Sequence, residues 1–92
     1  MIQALVLIKV ERSSIPHTAE QLLEIKGITE VFSVTGEYDL VAMIRLKEYE
    51  DLALVVTEKI AKVETILKTE TMLAFKVYSR ADLEQSWQIG VD

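Results

Sequence analysis

The chain has 92 residues, 15 acidic against 10 basic side chains, a net charge of −5 and no cysteine, which bounds it to one domain and excludes disulfide and thiolate chemistry. The acidic balance (pI about 4.8) argues against direct nucleic-acid binding, which relies on Lys and Arg to neutralise phosphates. Half the residues are apolar and mean hydropathy is +0.23, more aliphatic volume than a lone small interior takes up, so the surplus is expected on a surface buried by another copy.

Residues 3–10 read as a first strand. Ala4, Val6, Ile8 and Val10 alternate with Leu5 and Leu7, so both faces are apolar and both need cover. The apolar run 4–8 is too short for a signal peptide or a membrane span, and a soluble, cytosolic chain is expected. Pro16 suits the first turn of a helix. Ile15, Ala19, Leu22 and Leu23 make one stripe, and Gly27 is a stop signal, so a helix is expected over about 16–25. A second strand is expected over 28–34, with Ile28, Glu30, Phe32 and Val34 on one face and Val31 on the other. A third covers 40–46, with Leu40, Ala42, Ile44 and Leu46 on one side.

Between them, Thr35-Gly36-Glu37-Tyr38-Asp39 is a loop of hairpin length. Its glycine, two acids and tyrosine occupy one small volume together with free backbone N–H groups. Such a turn can hold a small zwitterion, or it can be only a hairpin. Gly36 is expected wherever φ must be positive, and Asp39 can bond local backbone.

A second helix begins near Glu50, with the stripe Leu52, Val55, Val56, Ile60 and Val63 and an i,i+4 pair between Glu58 and Lys62. Residues 64–78 read as a fourth strand, long enough to bend or carry a bulge. Thr69, Thr71, Leu73, Phe75 and Val77 share one face; Glu70, Met72, Ala74, Lys76 and Tyr78 share the other. Residues 79–92 form a tail, with a cap-like Ser79-Arg80-Ala81-Asp82 and a short helix through Leu83 and Trp87. The order βαββαβ is that of a ferredoxin-like α+β sandwich. Two helices on one face of four antiparallel strands leave the other face bare.

Little points to catalysis. His17 is the only histidine, Glu37 and Asp39 sit in a wet loop, and no metal-ligand spacing or glycine-rich phosphate loop occurs. No metal or cofactor is expected. The threonines of the fourth strand are explained by β-propensity alone.

The element order, the Gly36-Glu37-Tyr38-Asp39-Leu40-Val41 segment and the Thr69-Glu70-Thr71 step resemble the effector-binding (RAM) domain of the Lrp/AsnC transcription regulators, over residues 1–78. The tail looks like that of stand-alone members. Full-length members place a helix-turn-helix domain first, and no room for one is expected here. The resemblance implies dimers with sheets packed face to face, assembled into rings that are often octameric. It further implies an amino-acid effector bound between dimers near the hairpin, and co-assembly with full-length regulators. On this basis backbone N–H groups around Gly36 and Tyr38 receive the effector carboxylate, and Asp39 or Glu37 pairs with its ammonium. Thr35 belongs to the same turn, Thr69 and Thr71 offer hydroxyls, and Met72 lines the side-chain pocket. The competing readings are a dimeric α+β barrel enzyme, a pure oligomerisation scaffold and an ACT-like regulatory domain.

Overall fold

The computed structural model describes residues 1–81. The strands are β1 (Ile2–Val10), β2 (Ile28–Ser33), β3 (Leu40–Leu46) and β4 (Ile66–Leu73), and the helices α1 (Ile15–Leu23) and α2 (Tyr49–Leu54). The second helix continues as a π turn, Val55–Lys59, and a 3-10 turn, Ile60–Lys62. The strands form one antiparallel sheet in the order β2-β3-β1-β4. This is the ferredoxin-like α+β arrangement.

Alternation along the strands sorts the side chains. Ala4, Val6, Ile8 and Val10 of β1, with Leu40, Ala42 and Ile44 of β3, point to the helices and are buried. Leu22 of α1, Leu52, Val55 and Ile60 of the second helix and Val63 just past its end close over them. Among the described residues, no layer lies upon the opposite face. Two cross-strand rows run over it: Glu30, Met43, Leu5 and Met72, then Phe32, Val41, Leu7 and Glu70. Phe32 and Met72 remain 43% and 44% exposed there.

Several details depart from the expected pattern. A register shift between Ile28 and Glu30 reverses the alternation of β2. Val31 therefore packs against the core with Ile28, and Phe32 lies on the bare face. In α1 the buried position goes to Thr18, not to Leu23, which is half exposed. The Thr18 hydroxyl is satisfied by that of Thr65, the cheap way to bury a polar group. The second helix is wound unevenly because its buried residues are spaced unevenly. Val55 and Ile60 are five apart, which an α-helix sends to different faces and a π turn brings together. The expected pair of Glu58 and Lys62 is not among the ion pairs of the described residues.

β4 ends at Leu73, five residues short of the expected limit, and begins two residues later. Its pairing with β1 carries a bulge opposite Lys9 and Val10, and the last ladder-like bond is Ala74 N–H to Gln3 O. β1 itself ends one position on, at Ile2, so Phe75 and Val77 leave the sheet, Phe75 fully exposed. Arg80 and Ala81 begin a helical turn; the expected helix through Leu83 and Trp87 lies outside the described residues.

Candidate functional site

The hairpin between β2 and β3 is closed by Val34 N–H to Asp39 O at 3.0 Å, and Asp39 N–H donates across to Ile8 O of β1 at 2.9 Å. Gly36 turns the chain with φ +107, a region that costs other residues about 1–2 kcal/mol. The Asp39 carboxylate reaches back and accepts the Val10 N–H at 2.9 Å. That bond ties the hairpin to the far end of β1. The four N–H groups of residues 35–38 find no acceptor among the described residues. They are unbonded donors in a largely exposed turn, and clustered free N–H groups attract anions.

The tip is also strapped to β4, a strand that β3 does not touch. Tyr38 Oη donates to Glu70 Oε2 at 2.9 Å, and Lys68 Nζ lies 3.8 Å from Glu37 Oε1 and 5.6 Å from the centre of the Tyr38 ring. Lys9 Nζ donates to Glu37 O at 3.2 Å. The Glu70 carboxylate accepting its hydrogen bond raises the Tyr38 phenol above its ordinary 10.0; desolvation and the Glu70 charge add to this, and Lys68 opposes it. Lys9, Lys68 and Glu70 were not among the expected site residues. The signal for them was available, since alternation places 68 and 70 on the face that carries Lys9.

One copy brings only part of the expected site together. Thr35, Gly36 and Glu37 are exposed at the tip, with Tyr38 and Asp39 half-buried beneath them. Thr69 and Thr71 stand across from Ile8 and Val6, on the helix side of β4, where no helix reaches and both are exposed. Met72 is on the other side, paired with Leu5 in the bare face. The threonine hydroxyls and Met72 therefore cannot line one pocket within a single chain. His17 is exposed at the start of α1, and no group of three or more His, Asp or Glu side chains suited to a metal ion occurs among the described residues.

The sandwich and the strapped hairpin define a small ferredoxin-like α+β domain. Residues 3–83 match the Lrp/AsnC ligand binding domain model, and the chain belongs to that family. Among solved structures it is similar to TTHA0845 from Thermus thermophilus, at 46% identity and TM-score 0.81, covering 87% of this chain and 100% of that one. It is also similar to the hypothetical protein PHS023 from Pyrococcus horikoshii, at 31% identity and TM-score 0.77, covering 87% and 96%. Among curated proteins, the HTH-type transcriptional regulator FL11 of Pyrococcus furiosus is 35% identical over 77 residues, 84% of this chain and 50% of the regulator. The chain spans about half the length, or less, of the curated relatives it matches.

Proposed function

We propose that this domain is an amino-acid-responsive, oligomerising module of Lrp/AsnC-type transcription control, without catalytic activity. The observation that carries the reading is the tip at residues 35–38. Four unbonded N–H groups beside Lys9 and Lys68 offer a seat for a carboxylate, and the Glu37 carboxylate in the same turn offers a partner for an ammonium. A zwitterion needs both ends satisfied in a small volume.

Thr69 and Thr71 join this site from another copy, since within one chain they face away from the bare sheet face. The bare apolar rows pair with the same rows of a second chain to make the dimer, and dimers associate into a ring, of eight subunits in the arrangement the family resemblance suggests. Contact with DNA comes through a partner that carries its own DNA-binding domain, such as a full-length relative; the chain's net charge of −5 supports this. The protein works in the cytoplasm beside such partners. No helix among the described residues is long and apolar enough to cross a membrane.

The test is a thermal-shift panel of the twenty amino acids, on the wild type and on Glu37→Gln and Thr69→Val. An effector at a hundred times its dissociation constant adds about 2.7 kcal/mol to the folded state. A rise in Tm by several degrees with one or a few amino acids, reduced in both variants, is the expected result. No rise with any of the twenty would leave oligomerisation alone as the function.

A further inference from the structure

A groove of about 630 Å³ opens between the two helices, on the side of the molecule away from the bare sheet face. It is independent of the hairpin and of the function proposed above. Its apolar lining is wholly aliphatic, made by Ile25, Leu46, Leu54, Val55 and Val63. Its polar rim carries three lysines, Lys26, Lys59 and Lys62, against two carboxylates, Glu24 and Asp51. In a chain where acids outnumber bases 15 to 10, the groove is a local reversal of sign.

Two features of the backbone shape it. The π turn Val55–Lys59 widens the second helix where it borders the groove, and such turns recur at binding sites. Val55 forms part of the lining and Lys59, at the other end of the turn, stands on the rim. Opposite, Gly27 lets the α1–β2 connection lie directly on Leu46, where a Cβ would meet Leu46 Cδ2 at 2.5 Å. Leu46 is thereby held in place as part of the floor. The volume lies within the roughly 300–1,000 Å³ of small-molecule sites.

We propose that this groove binds an aliphatic monocarboxylate of medium chain length. The alkyl chain lies along the Leu46, Leu54 and Val63 surface, and the carboxylate is received by Lys59 and Lys62. A single excess positive charge suits a monoanion, and a lining without aromatic side chains suits a saturated chain.

The experiment is isothermal titration of the intact chain with hexanoate, octanoate and octylammonium below their micellar concentrations. Octanoate binds, and each added methylene tightens binding by about two- to fourfold. Octylammonium binds at least tenfold more weakly than octanoate. The double variant K59Q/K62Q weakens octanoate at least tenfold, whereas Lys47→Gln, an exposed lysine outside the groove, leaves it unchanged. Leu54→Gln, at a partly exposed position, flattens the dependence on chain length. The proposal is overturned if octanoate does not bind, if hexanoate and octanoate bind alike, if octylammonium matches octanoate, or if K59Q/K62Q binds like the wild type.

Discussion

Gly27 and Gly36 both have positive φ, 104 and 107, yet they are not equivalent. A Cβ at Gly36 meets nothing within 4 Å, whereas one at Gly27 runs into Leu46. Gly36→Ala should therefore cost only the backbone term, about 1–2 kcal/mol. Gly27→Ala adds an overpacking term and should cost about 2–5 kcal/mol in all. Denaturant melts of the two variants check the order; equal losses would show that the Leu46 contact is not felt. A second residue-level test concerns the hydroxyl pair of Thr18 and Thr65. Thr18→Val strands its partner and should cost about 1–2 kcal/mol, while the double change to valine costs less than the two singles together. Of these positions, only the glycines were legible in sequence. Thr18 shows nothing locally that distinguishes a buried, bonded threonine from a solvated one, because its partner lies 47 positions away.

At the scale of the element, what was readable depended on whether periodicity stayed intact. β1 and β3 keep a strict alternation, so their inner and outer faces follow from the sequence. In β2 one extra residue at the bulge exchanges the two faces, and the exchange is set by pairing with β3, not by anything in residues 28–33 themselves. The second helix lay between these cases. Its 52, 55, 60, 63 spacing contains a step of five, but Val56 supplied a step of four and so an ordinary stripe, and the π turn was not legible. Deleting the exposed Thr57 should convert the π turn to regular helix while Ile60 and Val63 stay buried. The deletion variant should fold with a Tm within several degrees of the wild type, as read by circular dichroism; loss of the cooperative transition would show that the wide turn is required by the core. The hairpin offers a further check. Replacing Glu70 with Gln removes the carboxylate charge and leaves only a weaker, neutral acceptor for the Tyr38 hydroxyl, so its ionisation should move down toward 10.0. The phenol is the donor in this bond, so the strap holds below the raised pKa and is lost as pH rises through it. The Tyr38 ring shift followed by NMR against pH reports both effects.

For the whole molecule, the sheet face that no other described residue covers is where assembly is expected. Leu5, Leu7, Val41, Met43, Phe32 and Met72 form a continuous apolar surface across four strands, the kind of surface a second copy covers. The wild type should sediment as a dimer or a multiple of it, and Leu5→Glu, at the centre of the rows, should yield the mass of one chain at micromolar concentration. An assembly unchanged by Leu5→Glu would place the contact elsewhere. That such a face exists was readable from composition and alternation. Which residues occupy it was readable only in part, because Phe32 reaches it through the β2 bulge.

The straps from the hairpin tip to β4 carry a mechanical consequence. Tyr38 and Glu37 reach over β1 to hold Glu70 and Lys68, so the loop and the outermost strand are braced like opposite corners of a frame. A displacement of the loop should therefore be felt by the strand that leads into Phe75. The brace is built from exposed contacts, with Lys68 and Glu37 at 58% and 73% side-chain exposure, and such pairs weaken as salt screens them. Raising the ionic strength should therefore loosen the Lys68–Glu37 corner of the brace while the Tyr38–Glu70 hydrogen bond and the sheet between the corners persist.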